Sequence, residues 1–153
     1  MNKKVIMTVM LFAVMFIAFA LQSASDYAAA DASQAGNDPS AYTMEEVWFE
    51  RDGLRIYGEL CIPEISGKLP LVILSHGFGV NHTRSQGYAR AFAENGIAAY
   101  AFDFIGGGRD IKSDGQMTEM SVLTEAADLN AVIDGLLVRD EFDPSELYLF
   151  GAS

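Results

Sequence analysis

The sequence predicts an α/β fold, a mostly parallel sheet entered through an N-terminal antiparallel hairpin. Three observations predict it. Two β-rich runs separated by Asp52 and Gly53 open the folded part, a continuously apolar run at residues 71–74 and a further strand at 97–104 follow, and stretches of helical period lie after each. Crossover helices between buried strands force those strands to be parallel, with helices on both faces.

The hairpin comprises residues 46–50 and 54–62, because Asp52 and Gly53 suit the positive φ angles of a tight turn. In its second run Leu54, Ile56, Gly58, Leu60 and Ile62 alternate with Arg55, Tyr57, Glu59 and Cys61. One face is apolar and the other mixed, as in an antiparallel strand near a sheet edge. After Pro63 residues 71–74 are apolar without a break, which suits a strand buried on both faces. The loop 76–81 leads to a helix of about a dozen residues that carries Tyr88, Ala91 and Phe92 on one side and stops at Asn95 and Gly96. Residues 97–104 are the next strand and 106–115 a loop. Ser121 then caps a helix in which Val122, Ala126, Leu129, Ile133 and Leu136 recur at steps of four and three. Asp143 and Pro144 break the chain before a last strand at 146–150. Tyr88, Phe92, Tyr100 and Phe102 sit at core spacing.

The 153 residues match one domain, less an N-terminal segment. Residues 1–4 are basic, 5–21 are apolar apart from Thr8, and 22–30 are rich in small side chains. That order is an export signal, with cleavage expected before Asp26 or Asp31. The apolar run of 17 residues also reaches the lower limit for spanning a bilayer, so an uncleaved membrane anchor is the second reading of residues 1–25. Residues 26–44 lack any period and read as a flexible linker, and 45–153 as the folded part. All 21 acidic residues lie after Ser25 and Lys3 and Lys4 before it, leaving 8 bases against 21 acids beyond the signal. Such a surface repels phosphate backbones, so no nucleic acid partner is expected. Cys61 is the only cysteine, so no internal disulfide can form, and it is expected to pack as a small side chain.

In a sheet of this class a site lies beyond the carboxyl ends of the central strands. Two pieces of sequence fall there. Gly151, Ala152 and Ser153 follow the last strand and read as the start of a G-x-S-x-G nucleophile elbow, in which the serine hydroxyl is exposed on a tight turn. His76, Gly77, Phe78 and Gly79 follow the 71–75 strand, and the two glycines let backbone N–H groups converge on an oxygen that becomes negative when an acyl carbon turns tetrahedral. Other motifs are weaker. Gly106, Gly107 and Gly108 lack the spacing of a phosphate loop, and Asp110 and Asp114 lack the alternating oxygen ligands of a cation loop, so neither a cofactor nor a metal is expected. His82, in a polar turn, is expected to be solvated or capping.

LVILSHGFGVN, AYAFDFIGGG, SDGQMTEMSVLTEAADLNAVID and LYLFGAS together resemble the N-terminal half of bacterial α/β-hydrolases, above all the cinnamoyl (feruloyl) esterases and their serine-aminopeptidase-like relatives. The resemblance covers residues 46–153 and implies an α/β-hydrolase fold reaching the nucleophile elbow. It implies Ser153 as nucleophile, the Phe78 N–H as one oxyanion donor, His76 as a residue that orders the loop, and a small ester as substrate. The second donor, the acid and the base histidine are expected after Ser153, in the order Ser, Asp, His. Asp103 precedes the serine and is therefore expected to pin loops by accepting backbone N–H bonds. An aminopeptidase or thioesterase of the same fold, or a non-catalytic exported fragment, are the alternatives.

Overall fold

The computed structural model describes residues 41–151, and its strands and helices form one mixed five-stranded sheet with a helix on each face. The strands are β1 (Tyr42–Arg51), β2 (Leu54–Pro63), β3 (Leu69–Ser75), β4 (Ala98–Phe102) and β5 (Phe142–Gly151). The helices are α1 (Gln86–Ala93) and α2 (Val122–Leu137). Asp52 and Gly53 turn the β1–β2 hairpin with φ of 54° and 79°, the two positive angles of a type I′ turn. β2 pairs antiparallel with β4, β4 parallel with β3, and β3 parallel with β5, giving the order β1-β2-β4-β3-β5.

Each face of the sheet has its own core. On one side Leu60, Leu71, Ile73, Tyr100 and Phe102 pack beneath Val132 and Leu136 of α2. On the other Cys61, Val72, Leu74, Ala99 and Ala101 pack beneath Ala89 and Ala93 of α1. Alanine on that second face lets the short α1 lie close, while the larger side chains fill the space under the longer α2. Each fully buried Leu or Ile contributes about 1.5–3 kcal/mol. Cys61 is a core side chain, and burial pushes its thiol up to about 11.

Several elements differ from the sequence expectation. β2 is antiparallel and lies one strand in from the edge, as expected, but its mixed face is not solvated: Tyr57 and Cys61 are as buried as Ile56 and Leu60, because α1 and the loop after β4 cover them. The dozen-residue helix is shorter, since residues 82–84 form a separate 3₁₀ turn capped by Asn81, whose Oδ1 accepts the Thr83 N–H at 3.1 Å. Tyr88 is half exposed against Phe150 rather than in the core, whereas Tyr100 and Phe102 are fully buried. The buried stripe of α2 is Asp128, Val132 and Leu136, and Val122 and Ala126 face solvent. Asp143 and Pro144 do not end a strand but form a bulge inside β5. There β3 advances from Leu69 to Leu71 while β5 advances from Phe142 to Leu147. Asp143 Oδ1 closes the bulge by accepting the Ser145 N–H and Oγ–H at 2.9 and 2.6 Å.

Candidate active site

Parallel pairing sets Ser75, the last residue of β3, beside Gly151, the last of β5. The loop 76–79 therefore leaves the sheet next to the strand that leads to Ser153, which itself lies outside the described residues. An open cleft of about 370 Å³ sits at this edge, lined by Ser75, His76, Gly77, Phe78, Phe104, Glu125 and Gly151. Four of the residues singled out from sequence, His76, Gly77, Phe78 and Gly151, thus share one cleft.

The loop is held from behind. The Gly79 N–H donates to Gly107 O at 3.1 Å, and Gly79 and Gly108 form a parallel bridge. Asn81 Nδ2 donates to the carbonyls of Arg109 and Asp110, both at 3.3 Å. The three glycines at 106–108 are the counterpart of this contact: a Cβ on Gly108 would lie 1.7 Å from Val80 O. Their spacing carried no ligand motif because their partner is another loop.

His76 is buried and shapes the turn. Its Nε2 faces the Phe104 N–H at 3.3 Å and accepts from it, which leaves the ring proton on Nδ1, donated to Gly77 O at 2.8 Å. The ring edge packs on Phe104 with centroids 5.3 Å apart. Phe78 is 71% exposed, and its backbone N–H has no hydrogen-bond partner among the described residues.

His82 is not solvated. It is 4% exposed, with its ring over Tyr57, its Nδ1 on Asp103 Oδ1 at 2.9 Å and its Nε2 3.5 Å from Glu59 Oε1. Burial works against its charge, but the Asp103 hydrogen bond and the charges of Asp103 and Glu59 outweigh it and raise the His82 pKa. Asp103 accepts the backbone N–H groups of His82 and Lys112, at 2.6 and 2.9 Å, and so ties the 3₁₀ turn before α1 to the loop after β4. Burial alone would raise its pKa, and the bonds from His82 and Lys112 lower it instead. Both histidines of the chain are committed to structure, so neither is placed as a base. Asp114 holds Arg55, accepting its N–H at 2.8 Å.

Two residues at or behind the site escaped the sequence reading. Glu125 lines the cleft from the first turn of α2. Asp128 lies fully buried one turn further on, accepting Arg51 Nε at 2.5 Å and the Ile105 N–H at 2.9 Å. Position 128 falls on the buried stripe of α2, so an acid there could have been flagged by its place in the helical period.

Strand order, the glycine loop after β3 and the cleft at the ends of β3 and β5 define an α/β-hydrolase fold, here in part. A family model described as serine aminopeptidase, S33, matches residues 68–153. The match covers more than half of the chain, which belongs to this family of α/β serine hydrolases. An uncharacterized 31.7 kDa protein of Escherichia coli, from the traX-finO intergenic region, is 33% identical over 93 residues, covering 60% of this chain and 32% of that protein. Est1E from Butyrivibrio proteoclasticus, solved with ferulic acid bound, is 25% identical with a TM-score of 0.63, covering 70% of this chain and 42% of Est1E. The thioesterase domain from the curacin biosynthetic pathway is 29% identical with a TM-score of 0.56, covering 72% of this chain and 36% of the domain. The chain spans about a third of the length of the curated relatives it matches.

Proposed function

We propose that the whole protein is a serine hydrolase of carboxylic esters, with aromatic acyl esters of the hydroxycinnamoyl type as its substrates. Ser153 Oγ attacks the ester carbonyl and gives its proton to a histidine beyond the residues described. The Phe78 N–H, with a second donor, holds the oxygen as it becomes negative, and each such donor is worth about 3 kcal/mol of barrier. The tetrahedral species collapses to an acyl-serine and releases the alcohol, which takes the proton back from the histidine. Water then attacks the acyl carbon and returns the serine hydroxyl. The observation that carries this is the register of Ser75 beside Gly151, which brings the HGFG loop to the strand end that precedes Ser153.

Phe78 and Phe104 line the cleft and suit a flat acyl group, and the likeness to Est1E supports the same class. The family description favours a peptide substrate and the curacin domain a thioester. All three present an acyl carbon that one serine can attack, and they differ in the acyl part and the leaving group. Residues 1–25 act as an export signal in this reading, delivering the enzyme outside the cytoplasm. Among the described residues no helix is long and apolar enough to cross a membrane, and residues 5–21 lie outside them.

The test is Ser153→Ala in the whole protein, assayed on a hydroxycinnamoyl methyl ester, a thioester and an aminoacyl anilide. Loss of ester turnover with an unchanged circular dichroism spectrum supports the proposal. Retained turnover overturns it, and turnover confined to the anilide or thioester reassigns the leaving group.

A further inference from the structure

We propose that His82 is a proton-operated latch: its charged ring clamps the segment 76–86 between Asp103 and Glu59, and loss of that proton frees the segment from β2 and loosens the loop 76–79. The structural part concerns the described residues alone, and its effect on turnover rests on the serine-hydrolase reading above.

The geometry leaves the ring no neutral form that suits both neighbours. Nδ1 lies 2.9 Å from Asp103 Oδ1 and Nε2 3.5 Å from Glu59 Oε1. Asp103 is fully buried and its oxygens also take the backbone N–H groups of His82 and Lys112, so it is held as an acceptor. Glu59 is an acceptor too, because Gln86 Nε2 donates to its Oε2 at 2.5 Å and the Tyr57 hydroxyl lies 2.9 Å from its Oε1. Tyr57 has a single proton for Glu46 and Glu59, and Lys112 Nζ, 2.9 Å from Glu46, serves the former. An imidazolium has an N–H for each carboxylate, whereas a neutral ring has one for the pair.

Burial decides which half opens. A neutral ring keeps its proton on Nδ1, at the shorter contact, and points the Nε2 lone pair at the Glu59 carboxylate. Glu59 has no other cation within ion-pair distance among the described residues. Its side chain is 18% exposed against 0% for Asp103, so Glu59 is the partner that turns to water. Its departure breaks the Gln86 bond at the start of α1 and the Tyr57 bond on β2. The segment then keeps Asp103 and loses β2.

The site loop lies at the other end of this segment. His76 Nε2 is 3.9 Å from the same Asp103 Oδ1, and Asn81, next to His82, carries the bonds to Arg109 and Asp110. Movement at 82–84 therefore reaches both anchors of the loop. Burial opposes the His82 charge and Lys112 repels it, but the Asp103 bond and the charges of Asp103 and Glu59 outweigh them, so release comes on the alkaline side of 6.5. Glu46 of β1 lies within reach of the same charge.

The experiment follows the whole protein through alkaline pH by NMR of the His82 ring and by amide exchange of residues 77–86, corrected for the intrinsic effect of pH. Protection at 77–86 should fall roughly 10- to 100-fold with the midpoint of the ring, the size of one charged hydrogen bond. On a hydroxycinnamoyl ester kcat should fall with that midpoint while KM holds. Glu59→Gln tests the cause. Its amide gives one N–H to a neutral Nε2 and the other to Tyr57, whose own proton goes to Glu46, so protection and kcat should stay level across the range. Unchanged protection while the ring titrates, a ring still charged where the fold unfolds, or an equal fall in Glu59→Gln overturns the latch, and the first two need no variant. Turnover that survives Ser153→Ala overturns the hydrolase reading, while the exchange result still decides the latch.

Discussion

Asp103 meets His82 twice through one oxygen, accepting the backbone N–H at 2.6 Å and the ring Nδ1 at 2.9 Å. The pair is buried, so its strength depends on both groups being charged.

Stability should therefore depend on pH in a defined direction. His82 is raised above its ordinary 6.5, so its contribution is fully present below that value and is lost as pH rises through the higher folded value. Asp103 is lowered below 3.8, so its contribution is present above that value and is lost only as pH falls through the lower folded value. The difference in Tm between wild type and His82→Gln should be largest between about pH 4 and 6.5 and shrink towards alkaline pH. A difference that stays constant from that range through alkaline pH would contradict the coupling. Asp103→Ala should cost about 3–5 kcal/mol, because it strands the groups it binds.

Gly108→Ala should disturb the 76–79 loop, the proposed oxyanion loop, from behind. The added Cβ would meet Val80 O at 1.7 Å, so one loop must move. Overpacking of this kind costs about 1–3 kcal/mol. In the whole protein kcat should fall more than KM rises, since the donor and not the acyl pocket is displaced. Thermal unfolding and steady-state kinetics on one preparation check both parts.

Asp128→Ala should destabilise the fold, with Arg51 left without its inner partner and the Ile105 N–H unpaired. The unpaired N–H alone costs about 1–3 kcal/mol. Asp128→Asn keeps an acceptor for the amide and should cost less. Urea unfolding of the two variants orders them.

Export predicts a mature N-terminus at Asp26 or Asp31 in the secreted fraction, read by mass spectrometry. Recovery only in membranes with Met1 intact would show the anchor instead.

The succession of strands and helices along the chain and the site loop were legible because they rest on local signals. Asp52 and Gly53 fix the hairpin, residues 71–74 are apolar on both faces, and HGFG follows them directly. His82, Asp103, Asp128 and the Asp143–Ser145 bulge lack that kind of signal. A buried charge is tolerated only where its partner stands, and the partners of His82 and Asp128 lie 21 and 77 residues away. Polar neighbours at Asn81, Thr83 and Arg84 suggest a solvated His82, although Asp103 holds it in a buried place. Pro144 signals a break, but β5, last in the sheet among the described residues, absorbs it as a bulge, because the ladder resumes at Leu147.

The Asp143–Ser145 bulge acts as a phase adjuster for the strand that leads to Ser153. Strand residues advance about 3.3 Å each and alternate faces. Beyond the bulge β5 runs in step with β3 from Leu147 to Gly151, so the number of residues looped out at 143–145 decides which residue arrives opposite Ser75. Removing one would deliver Ala152 to the place of Gly151 and turn every following side chain to the opposite face. The placement of whatever follows Gly151 is then set nine strand positions upstream, at Phe142. A short insertion or deletion there should silence the enzyme as completely as loss of the serine, while leaving both cores intact.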